Sequence, residues 1–350
     1  DISFKGDFVT SPALSDDFAF LLSKQIEDWS LSILKEINSD KKLTILEFGA
    51  GDGSLMNGII KYFLEKNKFI LEKLSFKIFE LNIGMKEKQR QLLSNHLNLG
   101  IEINWINLQE FEGNNFDGIV LAHEVLDAFP VERVQYSKDT LYRQEVGLDK
   151  KGNLVFKKAS LSKQLSKRID FINKNLEITI PPINAPENWT NELHMDNFSW
   201  FRNVSERLNN GILLVIDYSL DAQRYYSSNK SEGNILAYKN QKASNNILEN
   251  SGNTDLTTHL CNEILILDAK KAGFEFNGMV KQGEALLSLG LSKMIFDIQD
   301  KFKNDFSKAL LKREALLRLV DPICLGDFKW FVFQKTFEKE FHFKSKILAN

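Results

Sequence analysis

Three glycines at alternate positions are the first residues whose types and spacing point to ligand binding. They lie in Glu47-Phe-Gly49-Ala-Gly51-Asp-Gly53, after a short apolar run and before a helical pattern. Glycine accepts positive φ angles and lets a ligand approach the main chain closely, and such strand–turn–helix units hold nucleotide-like ligands. A dinucleotide fingerprint would have another glycine where Ser54 stands. With Glu47 at the strand end, the spacing favours a ligand with a cationic amino-acid end, such as S-adenosylmethionine.

A second carboxylate, Glu80, ends the next predicted strand, over residues 74–80. An acidic residue at the tip of the second strand is placed to accept hydrogen bonds from both hydroxyls of a ribose. This residue does not separate S-adenosylmethionine from NAD. A strand–turn–helix unit with a structural role only is the alternative to a nucleoside site.

Two further carboxylates, Glu124 and Asp127, follow the fourth predicted strand, at the sheet edge where open α/β folds bind ligands. A spacing of three would place both on one face of a helical turn, where they suit a cation such as guanidinium. The alternative is that they stabilise a helix N-terminus. With His123, the run resembles the H-E-x-x-H zinc motif, but no third ligand is apparent and we expect no metal.

His259 lies in Asp255-Leu-Thr-Thr-His259, where Asp255 or Thr257 could cap a following helix. Taken alone, this histidine favours a structural role over a catalytic one. Tyr218, directly after the fifth predicted strand, is equally compatible with ordinary packing.

The composition limits the class of protein. The 350 residues include 45 Lys or Arg and 47 Asp or Glu, for a net charge of −2, so no bulk positive charge attracts nucleic acid. The two cysteines, Cys261 and Cys324, form no disulfide or metal pattern. No apolar run reaches the ~18 residues of a membrane span, and no signal peptide is apparent.

The apolar patterns predict an alternation of strands and helices, typical of a parallel sheet covered by helices. Predicted strands cover 43–48, 74–80, 101–106, 116–122, 211–217, 274–280 and 328–333, and helices cover 14–37, 85–97, 160–175, 195–208 and 256–272. Antiparallel strands are predicted over 131–158, around a turn at 149–152, and a long loop over 221–254.

Five blocks, in order, resemble the MidA-like family of class I S-adenosylmethionine-dependent methyltransferases, which includes the mitochondrial complex I assembly arginine methyltransferase. They are Gly6-Asp-Phe-Val-Thr-Ser-Pro12, Glu47-Phe-Gly-Ala-Gly-Asp-Gly53, Glu124-Val-Leu-Asp-Ala-Phe-Pro130, Ile216-Asp-Tyr218 and Asp255-Leu-Thr-Thr-His259. The chain departs from the family pattern at His123, Asn82 and Ser219, where the family usually has Asn, Ser and Gly.

The resemblance implies roles for named residues. The glycines at 49, 51 and 53 would hold the methionine end of the cofactor, with Glu47 and His123 beside them, and Glu80 would hold the ribose. Residues Thr10, Ser11 and Pro12 would close over the cofactor. Glu124, Asp127 and His259 would face the methyl acceptor.

We therefore expect an α/β, Rossmann-like class I methyltransferase sheet with helices on both faces, an inserted hairpin and helical segment, and extra C-terminal helices. One domain, 1–350, would comprise an N-terminal lid and helix (1–37), a core (38–136 and 195–350) and the inserted segment (137–194). The expected activity is methylation of an arginine nitrogen of a partner protein, with S-adenosyl-L-methionine as cofactor. A scaffold protein that retains the pocket and a nicotinamide-dependent oxidoreductase are the alternatives.

The expected partner is a protein substrate, with a respiratory-complex subunit as one candidate, and no nucleic acid or membrane span; a homodimer is left open. The chain begins at Asp1 without methionine, so we expect that N-terminal residues are missing. A bacterial cytoplasm is the default compartment, and the mitochondrial matrix applies if a targeting segment was removed.

Overall fold

The structure, a computed structural model, describes residues 10–37, 41–239, 242–336, 343 and 345–348. It divides into two compact units. The first comprises Asp1–Val125, Arg202–Asp217 and Gly273–Asn350, and the second comprises Leu126–Phe201 and Tyr218–Ala272. Part of the predicted lid, residues 1–9 with the start of the Gly-Asp-Phe block, lies outside the described residues.

The chain up to Val125 alternates helices and strands, as predicted. These elements are α1 (Ser11–Leu14), α2 (Asp16–Ile37), β1 (Leu43–Phe48), α3 (Ser54–Lys66), α4 (Lys68–Leu71), β2 (Leu74–Phe79), α5 (Ile83–Asn98), β3 (Ile103–Ile106), α6 (Leu108–Gly113) and β4 (Phe116–His123). Helix α2 is amphipathic, and its apolar residues at helical spacing, from Phe18 to Ile33, are fully buried.

The next part of the chain forms most of the second unit. Its elements are β5 (Val131–Ser137), β6 (Thr140–Leu148), β7 (Leu154–Ala159), α7 (Lys163–Leu176), β8 (Thr190–His194) and α8 (Asn197–Arg207), which leads directly into β9 (Leu208–Asp217) of the first unit. The second unit then continues with β10 (Ser219–Leu220), α9 (Ala222–Tyr225), β11 (Ile235–Lys239), β12 (Lys242–Ser244), β13 (Asp255–Thr258), β14 (Leu260–Cys261) and α10 (Asn262–Lys271).

The remaining elements return to the first unit and complete its sheet. They are β15 (Glu275–Lys281), α11 (Gln282–Ser288), α12 (Leu291–Lys301), α13 (Phe306–Val320), β16 (Lys329–Lys335) and a 3-10 helix (Lys346–Leu348). The sheet has seven strands in the order β15-β16-β9-β4-β1-β2-β3. The five strands from β9 to β3 run parallel, and β16 is antiparallel to both its neighbours. The prediction of a Rossmann-like α/β sheet is confirmed.

The sheet of the second unit is antiparallel, in the order β7-β6-β5-β8. This agrees with the antiparallel strands predicted over 131–158. One of its faces carries Val134 and Leu193, which belong to one buried cluster together with Leu165, Ile169 and Ile172 of α7.

The predicted loop over 221–254 and helix over 256–272 are wrong in part. Strand β11 lies inside the predicted loop and pairs with β12 and β13, so that Ile235 lies opposite Thr258. Helix α10 therefore begins only at Asn262, with Cys261 as its N-cap. Long-range strand pairing overrides the helical pattern of the local sequence here, and Asp255 and Thr257 cap no helix.

The extent of the inserted segment also differs from the expectation. The second compact unit begins at Leu126 rather than near 137, because β5 pairs with both β6 and β8 and therefore belongs with them. It also includes Tyr218–Ala272, which the sequence had assigned to the core. That the two units act as one methyltransferase domain stays a prediction. No helix in the described ranges is long and apolar enough to cross a membrane.

Two glycines permit close packing at the centre of the large sheet. A Cβ at Gly118 of β4 would lie 1.9 Å from the carbonyl oxygen of Thr44 on β1, and a Cβ at Gly211 would lie 1.8 Å from that of Gly118. We expect Gly118→Ala to lower the free energy of unfolding by about 3 kcal/mol or more, because neither backbone can move without disrupting the ladder.

Urea unfolding followed by circular dichroism measures this loss. Gly113→Ala is the matched control, because a Cβ at that exposed position meets nothing within 4 Å. A Gly118→Ala protein as stable as the control would contradict the packing described here.

Candidate cofactor site

The glycine turn joins β1 to α3, as the sequence predicted. Gly49, Gly51 and Gly53 have φ angles of +60°, +53° and +91°, a region that favours glycine. A Cβ at Gly49 would also approach Cγ2 of Val125 to 3.2 Å. The turn is closed by the Asp52 side chain, whose Oδ1 accepts the backbone N–H of Ser54 at 3.0 Å. The backbone therefore turns sharply at the carboxyl end of β1 and starts a helix there.

A cleft opens at this turn, within the first unit. Most of the residues that line it were predicted as site residues, and the full set is Thr10, Pro12, Glu47, Gly49, Ala50, Gly51, Asp52, Leu55, His123 and Glu124. Sequence reasoning missed Ala50, Asp52 and Leu55 as contacts, although all three lie within or directly after the glycine motif. Gly53, Ser11 and Glu80 do not line the cleft.

The pKa of Glu47, an acid that lines the cleft, is strongly shifted. Its side chain is 3% exposed, and Oε2 has no hydrogen-bond partner among the described residues. Burial, with the neighbouring carboxylates of Asp52 and Glu80, raises the pKa of Glu47 to about 8. A cation beside this carboxylate would relieve both the desolvation and the repulsion.

Glu80 follows β2 and is held by two hydrogen bonds. Its Oε1 accepts the backbone N–H of Asn82 at 2.9 Å, and its Oε2 accepts Nε2 of Gln89 at 3.1 Å. Gln89 also donates to the carbonyl oxygen of Gly51 at 2.8 Å and accepts Nε1–H of Trp105 at 2.8 Å. This fully buried glutamine connects the glycine turn to Glu80. No pattern in the sequence indicates this role, apart from the presence of a polar residue at a core position of α5.

His123 ends β4 and lines the cleft. It is 8% exposed, and burial lowers the pKa of its imidazole to about 3, so the ring is neutral at pH 7. Its ring packs edge-on against Phe18, with centroids 5.4 Å apart. Its Nδ1 lies 3.6 Å from Oε1 of Glu124, and its Nε2 has no hydrogen-bond partner in the ranges that the structure describes.

Glu124 follows with a left-handed backbone, at φ +52°, and its N–H donates to the carbonyl oxygen of Ile216 at 2.9 Å. The prediction that Glu124 and Asp127 share a turn of helix is therefore wrong, because a left-handed residue ends the strand and no helix follows it. Glu124 lines the cleft of the first unit, whereas Asp127 belongs to the second unit.

The predicted lid residues are placed differently from one another. Thr10 and Pro12 line the cleft. Ser11 is fully buried, and its hydroxyl exchanges hydrogen bonds with the side-chain amide of Gln282, at 3.0 and 3.3 Å. These hydrogen bonds join the start of α1 to the start of α11.

Asp127 lies in a hydroxyl cluster of the second unit. Its Oδ2 accepts hydrogen bonds from the hydroxyls of Tyr218, at 2.5 Å, and Thr257, at 2.9 Å, and these two hydroxyls also contact each other. Burial raises the pKa of Asp127, and the two hydroxyl donors oppose that rise. Tyr218, which the sequence left open as packing, is thus a direct partner of a predicted site residue.

His259 packs edge-on against the Tyr218 ring, with centroids 5.3 Å apart. Burial and the nearby charge of Lys230 lower the pKa of His259 to about 4, so it is neutral at pH 7. In the described part of the chain, no group of three or more His, Cys, Asp and Glu side chains is arranged to hold a metal ion.

The residues of the cleft fit S-adenosylmethionine. The positive-φ glycines leave the main chain open to a ligand, and the buried Glu47 carboxylate, with one oxygen lacking a protein partner, suits the ammonium of the methionine end. Glu80 stands at the tip of the second strand, where a ribose would lie.

Comparison with known proteins agrees with this fit. A family model described as "Putative S-adenosyl-L-methionine-dependent methyltransferase" matches residues 26–280. A Burkholderia thailandensis protein crystallised with S-adenosyl-homocysteine shares the fold, with a TM-score of 0.80, 22% identity, and coverage of 98% of this chain and 81% of that one. A second, native structure from that organism has a TM-score of 0.78 at 24% identity, over 95% and 82% of the two chains.

Two curated relatives match a shorter stretch. The mitochondrial protein arginine methyltransferase NDUFAF7 of Danio rerio is 28% identical over 151 residues, 38% of this chain and 35% of that protein. Its Xenopus tropicalis counterpart is 26% identical over 152 residues, 38% of this chain and 34% of that protein. The match thus spans about a third of the length of these relatives. The family model covers well over half of the chain, which therefore belongs to this family of S-adenosyl-L-methionine-dependent methyltransferases, with S-adenosyl-L-methionine as its cofactor.

Proposed function

We propose that this protein transfers the methyl group of S-adenosylmethionine to an arginine nitrogen of a partner protein. The observation that carries the proposal is the placement of Glu124 in the wall of the cofactor cleft, next to the glycine turn. A carboxylate at that position suits a guanidinium, which it can bind through two parallel hydrogen bonds. The printed name of the two curated relatives, protein arginine methyltransferase, supports the same acceptor.

The cleft residues and Glu80, which does not line the cleft, have separate roles in this proposal. The glycine turn and Glu47 hold the methionine end of the cofactor, Glu80 holds the ribose, and Thr10 and Pro12 cover the bound molecule. When bound, S-adenosylmethionine supplies an electrophilic methyl group on a good leaving group. The protein's contribution is then to hold the acceptor nitrogen in line with that methyl.

Arginine is a difficult acceptor because its pKa exceeds ~12. Glu124 would orient the guanidinium and stabilise its charge, and Asp127 would assist from its hydroxyl cluster. A neutral His259, with a lone pair at pH 7, would receive the proton released after transfer. The participation of Asp127 and His259 stays a prediction.

The sequence leaves two alternatives to a methyltransferase. A nicotinamide-dependent oxidoreductase is not supported, because the family uses S-adenosylmethionine. A scaffold protein that retains the pocket remains the second candidate, and turnover distinguishes it. A respiratory-complex subunit as partner, the lack of nucleic-acid binding, a homodimer, and a cytoplasmic or mitochondrial location stay predictions.

The cofactor site can be tested by measuring the proton that Glu47 should release when the ligand binds. With a pKa of about 8 it is mostly protonated at pH 7, and an ammonium beside it favours the ionised form. Binding of S-adenosylhomocysteine should therefore release close to one proton at pH 7, and affinity should rise with pH until about pH 8, the pKa of Glu47 in the free protein.

Calorimetry in two buffers of different ionisation enthalpy counts these protons. Glu47→Gln should bind with little release and a flat pH dependence, whereas Glu65→Gln, on the exposed side of α3, should behave like the wild type. Equal proton release by wild type and Glu47→Gln would exclude Glu47 as the ammonium partner.

Asp127 gives a test of the acceptor side. Because Asp127 does not line the cleft, Asp127→Asn should bind S-adenosylhomocysteine as the wild type does. Loss of the charge should cost about 2 to 4 kcal/mol of transition-state stabilisation in methyl transfer. Asp170→Asn, exposed on α7 of the same unit, is the control, and a parallel fall in cofactor affinity would refute the assignment.

The class of acceptor is tested with labelled S-adenosylmethionine and cell extract. We expect the label in protein bands, and mass spectrometry of their peptides should place the methyl group on arginine. Label confined to small metabolites or to RNA would refute the protein-arginine proposal, and no labelling at all, with cofactor binding intact, would favour the scaffold alternative.

A further inference from the structure

The hairpin of β6 and β7 carries an exposed apolar surface. Val146 lies opposite Phe156, and Leu148 lies opposite Leu154, and because side chains alternate across a strand all four share one face. Their exposed fractions are 54%, 37%, 58% and 38%. We call these four residues the hairpin patch.

The hairpin patch is not the core face of its sheet. The core face carries Val134 and Leu193, which are fully buried. The patch lies on the opposite face, together with Arg133 and Gln144, which are a cross-strand pair in register with it. Contiguous exposed apolar side chains of this kind mark interaction surfaces more often than single exposed ones do.

The patch continues to the edge of the sheet. Strand β7 is the last strand in the order β7-β6-β5-β8, and in the described ranges its outer side pairs with no other strand. A free edge can accept an extended peptide as an additional strand, with alternate side chains contacting one face. The Arg133 guanidinium lies over the Phe156 ring, 5.0 Å from its centroid, which holds this ring in place.

The charge around the patch is positive, whereas the chain as a whole has a net charge of −2. Residues 140–159 contain five Lys or Arg and two acids. Both acids have local partners: Glu145 pairs with Arg143, and Asp149 accepts the backbone N–H groups of the turn. Lysines 150, 151 and 157 are exposed and form no ion pair within the part of the chain that the structure describes.

We infer that the hairpin patch and the outer edge of β7 bind an extended segment of the protein acceptor in which apolar and acidic residues alternate. The apolar side chains of this segment would pack on the patch, and its acids would meet the lysines of the hairpin. The inference rests on the proposed function, because it presupposes that the acceptor is a protein.

Three fluorescent peptides of about ten residues, a usual strand length, test the surface. One alternates apolar residues with glutamate, one replaces glutamate by lysine, and one is the glutamate peptide with prolines at alternate positions. The glutamate peptide should bind and protect backbone amides of residues 154–159 from hydrogen exchange. The lysine peptide should bind at least about tenfold more weakly, as should the proline peptide, which lacks the donors that strand pairing needs.

Leu148→Ser with Leu154→Ser should weaken binding of the glutamate peptide by about tenfold at an unchanged Tm. The matched control is Leu99→Ser with Leu108→Ser, two exposed leucines of the first unit. The inference is overturned if no peptide binds, if the lysine peptide binds equally well, or if protection falls outside β7. Sedimentation that shows self-association lost in the Leu148/Leu154 variant would identify a second copy as the occupant instead.

The same variant separates this inference from the proposed function. When the proteins that the wild type labels are used as substrates, the Leu148/Leu154 variant should show a raised KM and an unchanged kcat. Its affinity for S-adenosylhomocysteine should also be unchanged. Labelled protein without peptide binding would refute only the hairpin surface. Peptide binding without any methylated protein would refute the proposed function and leave a peptide-binding surface of other purpose.

Discussion

The burial of the Glu47 carboxylate beside two other acids is the constraint on which the cofactor cleft depends. In the folded protein the pKa of Glu47 is raised to about 8 from its ordinary value of 4.5, so the carboxyl group stays protonated up to a higher pH. Stability is therefore lost as the pH rises from about 4.5 to about 8, because the unfolded chain gives up this proton more readily. A bound ammonium removes that cost, so the same residue that weakens the free fold favours a cationic ligand.

The neighbouring elements hold this arrangement in place. Gln89 joins the carbonyl of Gly51 to the carboxylate of Glu80, so the turn after β1 and the end of β2 are fixed relative to each other. Asp52, which repels Glu47, closes the turn through Ser54. Asp52 and Glu80 are thus held by backbone and amide groups.

The second unit uses a carboxylate differently. The Asp127 side chain accepts the hydroxyls of Tyr218 and Thr257, and its backbone carbonyl accepts the N–H of Thr258 at 3.0 Å. Tyr218 in turn accepts the N–H of Leu260 with its backbone carbonyl at 3.0 Å. Asp127 therefore ties together three segments that are distant in sequence. Any contribution of its charge to an acceptor is made from within a preorganised network.

The sequence was sufficient to predict the elements that have a local signal. The glycine turn after β1 and the parallel strands are set by short-range spacing and apolar runs, and their prediction is confirmed. What could not be predicted depends on pairing between distant segments. The pairing of β11 with β13 is long-range, and so is the bond from Gln89 to Gly51. The left-handed turn at Glu124 had no local signal, because glutamate seldom takes a positive φ.

The resemblance leads us to expect asparagine at position 123, and a neutral histidine there differs little from asparagine in its hydrogen-bonding groups. An asparagine side chain offers both donor and acceptor atoms, whereas a charged imidazole offers two donors only. Burial lowers the pKa of His123 to about 3, so the ring stays neutral and keeps one donor and one acceptor. Its Nδ1 lies 3.6 Å from the Glu124 carboxyl group, and its Nε2 has no hydrogen-bond partner in the described part of the chain. The fold, by excluding water from this histidine, keeps it neutral, so that it offers one donor and one acceptor as an asparagine amide group also can.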